Sequence, residues 1–244
     1  MAYAEFLRAR RSLTWHIGIM AAITLLALYS GNASMIQVDG HAAFFPGNQV
    51  PLGALGMIGT FFAAIYASSA GTSLNRENQT RDLSWTKPIS RTSLALQFVL
   101  VDIAAIAIVF VLAMVAVAIV ILRLNMVPAI DQGFATELAV FFGTSVMWYA
   151  LLQVLSFWFG SGARSLGGIL WPVAFVVLAL THVPGPLGAI ARVIDAINPL
   201  RYLPGFSDAK GAQAMSLDTR ALCVWFFSVL FCAIAVTVWP RKEA

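Results

Sequence analysis

Long apolar stretches separated by short polar segments dominate the chain. Six of them approach or exceed the roughly 20 residues that an α-helix needs to cross a membrane. They lie at about 13–30, 50–70, 93–122, 135–160, 166–182 and 219–239. The pattern predicts an all-α, polytopic membrane protein with six transmembrane helices, in which residues 1–244 form a single transmembrane domain.

Two further segments combine apolar residues at helical spacing with polar residues on the opposite side. Near the N-terminus, Tyr3, Phe6 and Leu7 share one face of a helix, which predicts a short amphipathic helix on the inner membrane surface before the first span. Between spans five and six, five apolar residues lie opposite Arg192 and Asp195. This pattern predicts an outer amphipathic helix that rests on the membrane. The five are Leu187, Ile190, Ala191, Ile194 and Ile197.

The composition supports the membrane class. Hydrophobic residues make up 60% of the chain and charged residues 11%, whereas about 25% charged residues is usual in soluble proteins. The 15 Lys and Arg against 11 Asp and Glu are interpreted as determinants of membrane orientation, so that no nucleic-acid partner is expected.

The distribution of basic residues predicts which side of the membrane each connection faces. If the N-terminus is cytoplasmic, the inner segments carry ten basic residues and the outer segments five. Because Lys and Arg accumulate on the cytoplasmic side, both termini are predicted to be cytoplasmic. The inner set is Arg8, Arg10, Arg11, Arg76, Arg81, Lys87, Arg91, Arg164, Arg241 and Lys242.

One short segment between spans two and three contains much of the charge. Residues 71–91, GTSLNRENQTRDLSWTKPISR, hold six of the 26 charged residues within 21 positions. We call this segment the polar island, and the predicted orientation places it in the cytoplasm. It is interpreted either as a docking segment for another protein or as a solvated loop whose charges only set the topology.

Sequence motifs for common chemistries are absent from the chain. It contains no G-x-x-x-x-G-K-[ST] phosphate-binding loop, no H-E-x-x-H and no G-x-S-x-G. We therefore expect no catalytic residue, no metal and no bound cofactor. A metal site formed by Asp39, His41 and His182 at the outer ends is an alternative, although polar residues are common at membrane interfaces.

Asp102 is the one carboxylate placed well inside a predicted span. A buried acid in a membrane is energetically costly and often marks a substrate path. Asp102, Tyr149 and Gln153 are accordingly candidate pathway residues. In the alternative interpretation Asp102 pairs with a polar neighbour, Gln97, His16 or Gln153, and only specifies helix packing.

The polar island resembles the cytoplasmic segment of type-2 permeases of ABC transporters. That segment has the pattern acid-x-acid-x-Gly-Thr-x-acid-Leu-x-x-Ser/Thr-x-Pro-x-Ser-Arg. This chain has Asn75 in place of the first acid and Gln79 in place of the glycine. Early in span three, beyond this pattern, it has Phe98 where a lysine is common in the family. The matching positions are Glu77, Thr80, Asp82, Leu83, Thr86, Pro88, Ser90 and Arg91.

The resemblance implies the permease subunit of an ATP-driven exporter in a bacterial inner membrane. A separate ABC ATPase, in two copies, would bind ATP and Mg²⁺, and a second permease copy or a sister permease would complete the transporter. Pro88 and Arg91 would form the junction with span three. The residues that would contact the ATPase are Asn75, Arg76, Glu77, Asn78, Thr80, Arg81 and Asp82.

Two other functions are compatible with the sequence. One is a membrane mechanotransmitter of an ABC complex, which passes ATP-driven motion to an extracytoplasmic partner without moving a solute. The other is a membrane-embedded enzyme that uses Asp102 and a histidine, against which the missing catalytic motifs argue.

Overall fold

The computed structural model describes residues 2–29, 49–75, 90–123, 127–130, 133–159, 163–204 and 215–242. Within these ranges the chain is helical apart from two three-residue strands, so the predicted all-α class is confirmed. The α-helices are α1 (Ala2–Tyr29), α2 (Leu52–Ala70), α3 (Arg91–Arg123), α4 (Phe134–Phe159), α5 (Ala163–Leu180), α6 (Pro186–Asp195) and α7 (Leu217–Lys242).

Three of the described helices are long and apolar enough to cross a membrane, namely α3, α4 and the part of α7 at Leu217–Trp239. This is the arrangement expected of a membrane protein. The apolar parts of α2 and α5, Leu55–Ala70 and Ser165–Leu180, are shorter than the roughly 20 residues that span the hydrocarbon core. The prediction of six spans is therefore not supported, although a helix occupies each of the six predicted segments.

The predicted surface helix at the N-terminus is not a separate element. Helix α1 runs without interruption from Ala2 to Tyr29 and includes the predicted first span. The physical reason lies in the sequence, because no Gly or Pro precedes Gly18 and the other residues all tolerate a helix interior.

Helix α4 forms the centre of the bundle and packs against α2 and α7. Small residues allow the close approach, since a Cβ atom on Gly143 would lie 2.5 Å from Val224 on α7. Hydroxyl groups join the same helices: Ser228 donates to the Gly143 carbonyl at 3.3 Å, and Thr60 donates to the Phe141 carbonyl at 3.0 Å. Small residues and interhelical hydroxyl bonds are typical of helix packing in membranes.

Two short strands join the end of α3 to the start of α2. Gln49–Pro51 (β1) and Val127–Ala129 (β2) pair in parallel, with Gln49 opposite Val127. The sequence did not indicate this pairing, because three-residue strands are too short to show a period. It fixes the start of α2 and the end of α3 at one end of the bundle.

Helix α6 confirms the predicted helix between spans five and six, but one face was assigned wrongly. Gly185, with φ 96°, precedes the helix, and Pro186 occupies its first turn. Asp195 was placed with Arg192 opposite the apolar residues, yet Asp195 is only 5% exposed. The apolar residues Leu187, Ile190 and Ile194 are exposed, as expected of a helix that rests on a membrane. The helix thus turns its acid toward the protein and its apolar face outward.

The outer surface of the bundle is apolar. Large hydrophobic side chains are exposed on several helices, among them Trp15 on α1, Leu100 on α3, Val176 on α5 and Phe226 on α7. Exposed apolar patches of this kind mark surfaces that contact a partner or a membrane. Polar side chains lie inside the bundle, where the candidate site is found.

Candidate functional site

Asp102 lies in the interior of the bundle at 0% exposure. It is eleven residues after Arg91, the first residue of α3, or about 16 Å along the helix. The Tyr149 hydroxyl on α4 donates a hydrogen bond to Asp102 Oδ2 at 3.0 Å. A carboxyl group enclosed in this way needs such a donor, because burial without a partner costs several kcal/mol.

Gln153 extends this cluster from Tyr149 to the beginning of the polar island. Its Nε2 donates to the Tyr149 hydroxyl at 3.0 Å, to Ser73 Oγ at 2.6 Å and to the Ala70 carbonyl at 3.3 Å. Its Oε1 accepts from the Leu74 amide at 3.4 Å. One side chain of α4 therefore holds the end of α2 and the first residues after it. We call Asp102, Tyr149, Gln153 and Ser73 the polar cluster.

Local sequence explains why these groups meet. Tyr149 and Gln153 are four residues apart and so lie on the same face of α4. After α2 ends at Ala70, the chain forms a turn and a 3-10 helix at Ser73–Asn75. Gly71 is required in this turn, because a Cβ atom there would lie 2.6 Å from Leu152 on α4.

The segment that follows α2 is inside the protein rather than in solvent. Gly71, Thr72, Ser73 and Leu74 are all buried. The buried backbone must find hydrogen-bond partners within the protein, and Gln153 supplies one to the Leu74 amide. The polar island therefore begins as part of the packed core, which the sequence analysis did not anticipate.

Most of the residues predicted to contact an ATPase lie outside the described residues. Asn75 is described as the last residue of the 3-10 helix. At the other end of the island, Arg91 begins α3, and Ser90 Oγ accepts from the Ser93 amide at 3.2 Å as a helix cap. The residues outside the described ranges are Arg76, Glu77, Asn78, Thr80, Arg81, Asp82 and Pro88.

Asp102, Tyr149 and Gln153, the three candidate pathway residues, lie together in the fold. Two of the predicted partners of Asp102, His16 and Gln97, make other contacts or lie elsewhere. His16 packs edge-on against Tyr66 with ring centroids 5.0 Å apart, and its Nδ1 lies 2.8 Å from the Ser12 carbonyl oxygen. Gln97 is half-buried elsewhere on α3. Tyr149 donates a hydrogen bond to Asp102. The four-residue spacing of Tyr149 and Gln153 in the sequence already indicated that both side chains lie on the same face of α4.

The described ranges hold no group of three His, Cys, Asp or Glu side chains that could bind a metal ion. Of the alternative metal site, Asp39 and His41 lie outside the described residues, and His182 lies exposed in the turn after α5. Cys223 and Cys232 are both free thiols on α7.

A second buried polar group, missed by the sequence analysis, lies after α6. Asn198 donates to Asp195 Oδ1 at 2.9 Å and to the Ala174 carbonyl at 3.0 Å, and its side chain accepts from the Leu200 amide at 3.1 Å. Arg201 Nη1 lies 3.7 Å from Asp195 Oδ2. Burial raises the pKa of the Asp195 carboxyl above 3.8, opposed by the Asn198 hydrogen bond and by the charges of Arg201 and His182.

Comparisons with family models, with curated proteins and with solved structures find no match for this chain. The function is therefore argued from its own residues.

Replacing Gln153 tests whether the polar cluster holds the island to α4. Gln153→Leu removes the hydrogen bonds that Gln153 makes to the Ser73 hydroxyl and the Leu74 amide, and disrupting buried hydrogen bonds of this kind costs roughly 1–3 kcal/mol. We expect a clear fall in the thermal midpoint of the detergent-solubilised protein. Gln97→Leu is the matched control, since Gln97 forms no hydrogen bond among the described residues. Equal midpoints for the two variants would contradict the assignment.

Replacing Asp195 tests the effect of its burial on pH dependence. Because the folded-state pKa of Asp195 is raised, the folded protein binds its proton more tightly than the unfolded chain does. The free energy of unfolding should then fall as pH rises from about 3.8 through the raised pKa, and level off above it. Asp195→Asn removes this fall, so its thermal midpoint should vary less over that range. Asp218→Asn, which removes an exposed carboxyl, should keep the wild-type slope, and an unchanged slope in Asp195→Asn would refute the assignment.

Proposed function

We propose that this chain is the permease subunit of an ATP-driven exporter of the ABC class, coupled to a separate ATPase through the polar island. The observation that carries the proposal is the attachment of the island to the bundle by Gln153. The residues that would contact the ATPase are Asn75, Arg76, Glu77, Asn78, Thr80, Arg81 and Asp82. The proposal rests also on the resemblance of this segment to those of type-2 permeases.

Both ends of the island are anchored, which suits a segment that receives force. Its beginning is buried and bonded to Gln153 on α4. Its end is the capped first turn of α3 at Ser90 and Arg91. A displacement of residues 76–89 would therefore act on α2, α4 and α3 together, and a rigid attachment is what ATP-driven closure requires.

The contact between Asp102 and Tyr149 provides a second connection inside the bundle. It links α3 to α4 about 16 Å from the start of α3. Motion that enters at the island would then shift α3 and α4 as one body. We assign Asp102, Tyr149 and Gln153 to this coupling. A solute pathway along them would first require the cluster to open, since all three side chains are at 0% exposure.

The remaining parts of the proposal follow from the resemblance and the charge distribution. Helices α1, α2 and α5 would be additional spans, giving six, and both termini would be cytoplasmic in a bacterial inner membrane. A second permease copy or a sister permease would complete the pathway. ATP and Mg²⁺ would be bound by two ATPase copies, with no cofactor or catalytic residue in this chain.

Cysteine labelling from the two sides of the membrane tests whether α3, α4 and α5 cross it as the six-span arrangement requires. In a background without Cys223 and Cys232, we expect Ser90→Cys to label from the cytoplasm and both Ile130→Cys and Ser216→Cys from outside. Ser90 and Ile130 flank α3, and all three positions are exposed. If Ser216→Cys labelled with Ser90→Cys, only one of α4 and α5 would cross the membrane. Labelling of Ser90→Cys and Ile130→Cys from one side would exclude α3 as a span.

Reversing one charge in the island tests the coupling to an ATPase. Removing one partner of a desolvated interfacial charge pair costs roughly 2–5 kcal/mol, which weakens binding about 30-fold or more. Glu77→Lys should therefore lose the ATPase while the chain still inserts into the membrane. The measurement is affinity purification from native membranes, with mass spectrometry for a subunit that has a phosphate-binding loop, and ATP hydrolysis by the purified complex.

Glu5→Lys is the matched charge reversal outside the island and should retain both the ATPase subunit and the hydrolysis. The coupling proposal fails if the wild-type protein purifies without such a subunit and without ATPase activity. It fails equally if Glu77→Lys retains both at the wild-type level.

A further inference from the structure

A concave apolar groove lies on the side of the bundle away from the polar cluster. It has a volume of about 190 Å³ and runs between α4, α5 and the chain that follows α6. Trp148 and Ala174 contribute to its wall, together with Val177, Ile194 and Ile197. Trp148 is held in place by its neighbours, because it donates to Ser68 Oγ at 2.9 Å and packs against Trp171 with ring centroids 4.5 Å apart.

The groove offers no polar group to a ligand. Among the described residues that line the groove, only Asn198 and Trp148 have a polar group in the side chain. Both its amide hydrogens and its carbonyl oxygen are engaged with Ala174, Asp195 and Leu200. The Trp148 N–H is likewise bonded to Ser68. A ligand of this groove must therefore be apolar where it enters.

The groove is continuous with the apolar outer surface of the bundle. The exposed apolar residues of α5 beside the groove, Val173 and Val176, connect it with the surface that faces lipid.

A positive charge lies beside the end of the groove that Val177 forms. Thr181 is one turn beyond Val177 on α5, and its carbonyl oxygen lies 3.5 Å from Arg192 Nη1. Arg192 and His182 are exposed there, and no carboxylate among the described residues pairs with Arg192. The nearby acid, Asp195, is turned inward and bonded to Asn198. Helix α6, with its apolar face outward, would place this charge at the level of the lipid headgroups.

We propose that the groove binds one acyl chain of an anionic phospholipid, whose headgroup phosphate is held by Arg192. Apolar walls that are continuous with the outer surface, together with the exposed charge of Arg192 beside one end of the groove, match the two ends of such a molecule. Basic sites between membrane helices recognise anionic headgroups by the same charge attraction. The proposal does not depend on the coupling to an ATPase, only on the position of this surface in a membrane.

Photo-crosslinking in liposomes tests the site. The full-length protein is reconstituted in phosphatidylcholine with a small amount of phosphatidylglycerol that carries a diazirine at the end of its acyl chain. We expect the peptides that contain Leu151–Leu155 and Leu170–Val177 to be labelled several-fold more densely than the outward-facing α3 residues Leu100, Ile108 and Leu112. The equivalent phosphatidylcholine reagent should label the groove several-fold less.

Matched variants distinguish the site from general lipid contact. Arg192→Gln, at an exposed position, and Ala174→Phe, which fills the groove, should each reduce labelling of the groove several-fold. Arg10→Gln and Val176→Phe, which change an exposed charge elsewhere and the outward face of α5, should not. Equal labelling of groove and α3, equal labelling by the two lipids, or full labelling of Arg192→Gln would each overturn the proposal. Absence of groove labelling, as expected if a second copy of the chain covered it, would overturn it as well.

Discussion

The structure depends on one constraint, which is that a polar group enclosed in an apolar bundle must find its hydrogen-bond partner inside the protein. Gln153 shows the consequence most fully. Placed on the central helix α4, it satisfies the Ser73 hydroxyl, the Leu74 amide and the Tyr149 hydroxyl. Tyr149 in turn satisfies Asp102. The beginning of the most charged segment is thereby joined by hydrogen bonds to the most buried of the three candidate spans.

The same constraint orients the helix after α5. Asp195 turns toward the protein because Asn198 and Arg201 are available to it there. The apolar residues of α6 then face outward, where a membrane rather than water would receive them. The junction between the island and α4 and the end of α6 beside the groove therefore follow the same rule. In both places polar side chains bond inside the bundle and apolar side chains face outward.

Apolar stretches predicted the position of the long helices among the described residues, because a backbone in apolar surroundings satisfies its hydrogen bonds within a helix. They did not give the number of spans, because three of the described helices, not six, are long and apolar enough to cross a membrane. The prediction of a separate surface helix before the first span was wrong, because no helix-breaking residue separates the amphipathic segment from the apolar one and α1 is continuous. The side chosen for Asp195 was wrong because its partner Asn198 comes after the helix, outside any helical period. Asp102, Tyr149 and Gln153 were recognised as notable residues, whereas the participation of Ser73 depends on a turn that only the folded chain forms.

The central proposal, that Gln153 transmits movement of the island to α4, is tested most directly by hydrogen–deuterium exchange on a purified complex with the proposed ATPase. Exchange would be compared with and without a non-hydrolysable ATP analogue in the wild-type protein and in Gln153→Leu. The account predicts that nucleotide changes exchange both in residues 71–75 and in α4 around Tyr149 of the wild-type protein. In Gln153→Leu the change in residues 71–75 should remain and the change in α4 should disappear. An α4 that responds equally in both proteins would contradict the claim.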